Sequence, residues 1–294
     1  MKPYTYSVVD VFAEEKYAGN QLAVFRNAHS LSDTKMQKIA KEINYSETTF
    51  ILSDEEQKGG YDVRIFTPEN EVPFAGHPTL GTAFVIQQEI VKKPIEKIIL
   101  TLKVGQIPVT LTYSKKTVET LWMKQIEPEF YQTFNPRLIS EVLSIEPTEI
   151  DDKFPIEEVS TGLPFIIVPL KSLNAVKRAR IAKDKYYKLI ENTRAKGLLV
   201  FSPEPYNKEN DLNVRVFVDY YGIPEDPATG SANGCLAGYL VKNSYFGEDS
   251  IDIRVEQGYE IKRPSLLYLK AQKNEGITVY VGGKVIPVAR GEFI

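Results

Sequence analysis

Two short segments of this chain combine glycine, a polar side chain and proline ahead of an apolar run. They are Phe74-Ala75-Gly76-His77-Pro78-Thr79-Leu80-Gly81 and Asp226-Pro227-Ala228-Thr229-Gly230-Ser231-Ala232. Proline is favoured in the first helical turn, so each segment predicts the start of a helix, one over Pro78–Val91 and one over Pro227–Lys242. A helix start exposes unpaired amide donors and about half a unit of positive charge, which makes it a natural seat for a carboxylate. Gly76, Gly81 and Gly230 allow a ligand close to the backbone, and Thr82 and Ser231 offer hydroxyl donors.

Three titratable residues could supply chemistry beside those starts. Histidine is not a favoured cap, and His77 is one of only 2 histidines, which favours a functional role for it. The other, His29, lies in the turn-like Asn27-Ala28-His29-Ser30 and reads as a solvated loop residue. Asp226 takes the position matching His77 in the second segment, and before Pro227 it reads equally well as an ordinary N-cap. Glu47 stands at the mouth of the apolar strand Thr48–Leu52, where a carboxylate is either a surface charge or a base. Its counterpart about 150 residues on is Gly197, so one half of the chain holds a base that the other lacks.

Composition narrows the remaining classes. At 294 residues, with 43% hydrophobic and 26% charged side chains, the chain suits a soluble globular protein of one large or two medium domains. A net charge of −3, without long runs of either sign, disfavours nucleic acid as a partner. No stretch approaches the ~18 consecutive apolar residues of a membrane helix, and the first residues carry no apolar signal core, so no membrane association and a cytoplasmic location are expected. The single cysteine, Cys235, and 2 histidines are too few for an ordinary zinc site, and no metal is expected. Glycine-rich phosphate loops are missing, and no nucleotide or other cofactor is expected.

The elements needed to position these residues alternate between β-strands and helices. Runs such as Tyr4–Phe12, Leu22–Phe25 and Tyr61–Phe66 are β-branched and aromatic, whereas Lys35–Ile43 places Met36, Ile39, Ala40 and Ile43 on one helical face. The two helices after the glycine segments are apolar nearly all round and belong inside a wrapping of strands. Arg64-Ile65-Phe66 and Arg215-Val216-Phe217 precede the two segments at an offset of 151 residues, and Gly19–Phe25 corresponds roughly to Gly162–Val168. An internal duplication of some 150 residues is therefore expected.

On Gly19-Asn20-Gln21-Leu22-Ala23-Val24-Phe25, Asn44-Tyr45-Ser46-Glu47-Thr48-Thr49-Phe50, Arg64–Pro68 and the two helix-start segments, the sequence resembles the PhzF-like family across essentially its whole length. That family is named for a phenazine biosynthesis isomerase and is related in fold to diaminopimelate epimerase. The resemblance implies a mixed α/β (α+β) fold of two pseudo-symmetric lobes, each a curved sheet round a central helix, with the active site between them. On this reading residues 1–118 form the N-terminal lobe, which 284–294 could complete, and 119–283 form the C-terminal lobe. It also implies a homodimeric, cofactor-independent isomerase acting on a small carboxylate-bearing substrate. Its proton-shuttling glutamate maps to Glu47, its cleft histidine and aspartate to His77 and Asp226, and its substrate-binding glycine and serine positions to Gly76, Gly230 and Ser231. Gln21, expected in a turn, departs from the family's usual proline. A non-catalytic anion-binding or protein-binding member of the same fold is the alternative.

Overall fold

A computed structural model of the chain describes residues 4–294. The chain divides into two compact units, one running to Met123 and joined by Gly282–Ile294, the other spanning Lys124–Val281.

In the N-terminal unit, β1 (Tyr4–Val11) and β2 (Asn20–Phe25) pair antiparallel. Helix α1 (Asp33–Ile43) then crosses over to β3 (Glu47–Ile51), which lies parallel to β2. Ser32 fixes the start of α1 by accepting from the Lys35 amide, and Met36, Ile39 and Ala40 pack on Ala23, Phe25, Phe50 and Phe66. Antiparallel β4 (Tyr61–Phe66) carries β5 (Glu71–Val72) at one end and the parallel β6 (Lys97–Leu102) at the other. The central helix α2 (Gly76–Val85) is buried from His77 to Val85, and β7 (Gly105–Ser114) and β8 (Thr117–Lys124) continue the sheet as a meander.

The C-terminal unit contains β9 (Glu129–Phe134), α3 (Pro136–Leu143), β10 (Ile156–Ser160), β11 (Pro164–Pro169), α4 (Leu173–Arg178), α5 (Lys183–Ile190), β12 (Gly197–Ser202) and β13 (Leu212–Val218). It continues through β14 (Ile223–Asp226), α6 (Gly230–Lys242), β15 (Ser250–Gln257), β16 (Ser265–Lys273) and β17 (Ile277–Gly283). Its wiring follows that of the first unit: β10–β11 antiparallel, β11–β12 parallel, β12–β13 antiparallel, β14 and β15 both on β13, and β16 on β15. Helices α3 to α5 cover one face with Val142, Val176 and Tyr186 against Ile166 and Val200, while α6 is buried over most of its length. The last strand, β18 (Val285–Phe293), runs antiparallel to β1.

Three expectations need correction. The helix predicted over Pro78–Val91 is α from Gly76 to Val85 and then a π-helical turn over Ile86–Val91. The helix predicted from Pro227 begins only at Gly230, because Asp226 pairs with Val216 as the end of β14 and holds the chain extended. Gln21 lies inside β2 rather than in a turn.

Candidate active site

Each central helix is preceded by an arginine–glutamate clasp. Arg64 on β4 binds Glu71 on β5 through two parallel hydrogen bonds, Nε to Oε1 at 2.8 Å and Nη2 to Oε2 at 2.7 Å. Arg215 on β13 binds Glu225 on β14 in the same way, at 2.9 and 2.7 Å. Bidentate guanidinium–carboxylate pairing is both strong and directional, so each clasp fixes where the strand hands over to the helix. Arg215 goes deeper: its side chain is 4% exposed against 21% for Arg64, and its Nη1 also donates to the carbonyls of Val176 and Ala179.

Neither central helix has a side-chain cap. Ala75 precedes α2 and has no side-chain acceptor to offer, and Thr229 precedes α6 without capping it. The outlying helices α1, α3 and α4 are capped by Ser32, Asn135 and Ser172. First-turn amide donors of α2 and α6 are thus left available for an anion. Gly76 and Gly230 are the first residues of their helices, and His77 and Ser231 the second. Here the sequence register fails: His77 corresponds in place to Ser231, while Asp226 is a strand residue four positions before Gly230 and the cap position of α6 falls to Thr229.

At the start of α2 the structure brings Glu47 and His77 together. Glu47 is the first residue of β3, and its Oε2 lies 3.4 Å from His77 Nε2. Their side chains are 18% and 6% exposed. The contact follows from strand periodicity, because residues two apart on a strand share a face. Thr49, on the face of Glu47, meets α2 one turn further along through a buried 2.8 Å contact between its Oγ1 and that of Thr82. Burial pushes the His77 imidazole down to about 3, opposed by a hydrogen bond to the Gln21 main chain, so it is neutral at physiological pH. A main-chain bond that favours the charged ring is one accepted by a carbonyl, and Nε2 makes no hydrogen bond, so Nδ1 carries the proton. Nε2 therefore turns its lone pair toward Glu47.

Two of the expected ligand contacts are corrected. Thr82 does not offer its hydroxyl to a ligand, because it is buried against Thr49. Gly81 serves packing: a Cβ there would lie 2.6 Å from Leu22 Cδ2 and 2.9 Å from Val11 Cγ2, so glycine lets α2 settle onto the sheet.

In the C-terminal unit, Asp226 is buried and its Oδ2 accepts from Thr229 Oγ1 at 2.5 Å. Gln257, fully buried at the end of β15, donates to the Asp226 carbonyl at 2.8 Å and to Thr229 Oγ1 at 3.1 Å. Its Oε1 accepts from the Thr229 amide at 3.2 Å and from Asn233 Nδ2 at 2.8 Å. Sequence reasoning missed Gln257, Asn233 and Thr229 as a group. The available signal was the polar Asn233 inside an otherwise apolar helix, since a buried amide requires partners. Gly197 opens β12 opposite Phe165, as Glu47 opens β3 opposite Leu22. A Cβ on Gly197 would lie 2.7 Å from the Phe165 ring, which leaves no space for an acidic side chain.

Cys235 is buried within α6, and burial pushes its thiol up to about 12, so it is no base at neutral pH. Among the described residues, no three His, Cys, Asp or Glu side chains are arranged to hold a metal ion, and no helix is long and apolar enough to cross a membrane.

Two similarly wired mixed α/β units, one with a carboxyl–imidazole pair and one with a buried aspartate beside an uncapped helix, are the frame in which the likeness to known proteins is read. The family pattern described as phenazine biosynthesis-like protein matches residues 9–291, and the chain belongs to that family of isomerases. An uncharacterized isomerase of Pasteurella multocida is 37% identical over 99% of this chain and 94% of its own length. The trans-2,3-dihydro-3-hydroxyanthranilate isomerase of Pseudomonas aeruginosa is 34% identical over 92% of this chain and 91% of its own. The crystal structure of a PhzF-family phenazine biosynthesis protein from Bacillus anthracis superposes with a TM-score of 0.89 at 25% identity, covering 100% of both chains. The fold extends to a hydroxyproline epimerase of Agrobacterium vitis, with a TM-score of 0.62 at 8% identity over 99% of this chain and 92% of that one.

Proposed function

We propose that the enzyme moves a proton between carbon atoms of a small carboxylate-bearing substrate, with Glu47 as the base that removes it and the acid that returns it. The observation that carries this reading is the Glu47–His77 contact at the uncapped start of α2. A carbon acid gives up its proton slowly, so a base needs both a place to keep the proton and donors for the charge that develops. Once Glu47 has taken the proton, its carboxyl hydrogen has an acceptor in the lone pair of His77 Nε2. The amide donors at Gly76 and His77 suit a substrate carboxylate or the developing negative charge, and those at Gly230 and Ser231 offer a seat of the same kind in the C-terminal unit.

One base also implies that the proton leaves and returns through the same group. The place corresponding to Glu47 in the C-terminal unit is Gly197 under the Phe165 ring, which holds no proton carrier. Asp226 orients the substrate. The Pseudomonas aeruginosa relative is named for a substrate that is itself a carboxylate, and only that carboxylate feature is carried over here. A homodimer forms part of the reading, tested by a solution mass of twice 33.3 kDa.

The deciding experiment incubates candidate cyclic and acyclic carboxylates with the protein in deuterated water and follows deuterium at carbon. Incorporation that disappears in Glu47→Gln, with the folded amide spectrum retained, supports the proposal. Binding without incorporation would assign the chain to the non-catalytic alternative, and full incorporation in Glu47→Gln would eliminate Glu47 as the base.

A further inference from the structure

Gln257 is buried, carries no charge and belongs to none of the groups assigned above to the reaction, yet all of its amide's polar atoms are engaged around Asp226. Two main-chain groups fix its orientation. The Asp226 carbonyl can only accept and the Thr229 amide can only donate, so the Gln257 NH2 must face the first and its oxygen the second. A flipped amide would set oxygen against oxygen and donor against donor. Asn233 enforces the same choice, because its Nδ2 donates to Gln257 Oε1 at 2.8 Å and to the Thr229 carbonyl at 3.0 Å.

With that orientation set, the Thr229 hydroxyl has no freedom. Gln257 Nε2 donates to Thr229 Oγ1, so the single hydroxyl hydrogen is committed to Asp226 Oδ2. We propose that Gln257 is a positioning residue: acting through Thr229, it presents a fixed donor to Asp226 that favours the ionised carboxylate and sets its direction. The catalytic relevance of this relay rests on the reading of Asp226 as a substrate-orienting group, but the relay itself does not.

Several charged groups on the packed elements hold partners of their own. Arg215 on β13 and Glu225 on β14 hold each other, Glu260 in the turn after β15 lies 3.9 Å from Arg215, and Glu256 on β15 accepts from the Tyr206 and Asn207 amides and from Asn210 and Asn213. Removing the Thr229 hydroxyl leaves every one of these contacts unchanged.

The test uses the full chain labelled with 13C at aspartate carboxyls, with the Asp226 signal assigned by its loss in Asp226→Asn. Its titration is compared in the wild type, Thr229→Val, Thr229→Ser and Gln257→Met. A hydrogen bond donated to a carboxylate favours the charged form, so its removal raises the midpoint, here by about one pH unit in Thr229→Val and in Gln257→Met. Thr229→Ser, which keeps the hydroxyl, should titrate like the wild type. If Gln257→Met does not fold, the contrast between Thr229→Val and Thr229→Ser decides. An Asp226 midpoint unchanged in Thr229→Val overturns the proposal. Deuterium exchange on the same samples separates the two ideas: no exchange in the wild type sinks the isomerase reading alone, and normal exchange with an unmoved midpoint sinks the relay alone.

Discussion

The N-terminal and C-terminal units share one wiring of strands, one arginine–glutamate clasp and one uncapped central helix, and differ in what stands beside the helix start. In the first unit, Glu47 and a neutral His77 form a pair able to hold a single proton. In the second, the corresponding strand opens with Gly197 beneath Phe165, and the polar groups form the closed relay from Gln257 through Thr229 to Asp226. On the proposed reading, a scaffold held constant by backbone pairing and packing carries proton movement in one unit and a fixed charge in the other. A handful of side chains makes the difference.

The largest expected contrast is catalytic. Glu47→Gln should slow deuterium exchange by roughly 10²–10⁴-fold, the usual worth of a general base. A variant that retains most of its exchange would remove the functional asymmetry between the units. Next come the clasps. Arg215→Met leaves Glu225 buried without its partner and should cost about 3–5 kcal/mol in urea unfolding, whereas Arg64→Met, at a partly solvated pair, should cost about 1 kcal/mol. Equal losses would show that the deeper burial of Arg215 has no energetic consequence.

Smaller effects sharpen the same comparison. Gly197→Ala forces a Cβ against the Phe165 ring and should destabilise the protein by about 1–3 kcal/mol, measurable as a lower unfolding midpoint. His77 adds a pH dependence peculiar to the first unit. Its folded pKa, about 3, lies below the ~6.5 of an unfolded histidine, so below pH 6.5 the unfolded chain binds the extra proton. Stability is therefore complete above pH 6.5 and falls as the pH drops from there toward 3. At pH 5.5 the loss is about 1.4 kcal/mol, and His77→Gln should flatten the stability curve between neutral pH and pH 5.5 by that amount. An unchanged curve would mean that His77 is not held neutral.

Legibility varied with how local the cause was. Residue types and chain order marked α1, the buried character of both central helices and the glycine-led starts, because propensity and apolar runs act over a few neighbouring residues. The sequence also singled out Glu47 and His77 separately, 30 positions apart, without revealing their contact. The two-residue strand β5 and the four-residue strand β14 carry too little pattern to be read, and missing β14 is what misplaced Asp226 as a helix cap.

The sequence by itself determined the family, the alternation of elements and the inventory of reactive groups, since these are properties of composition and order along the chain. Tertiary structure alone decided that the carboxyl of Glu47 sits against an imidazole, that this imidazole is neutral, and that Gln257 reaches Asp226 across 31 positions. The reason is physical. Protonation state and hydrogen-bond direction depend on burial and on the nearest donor or acceptor in space, and both are fixed only when distant strands pair around a helix.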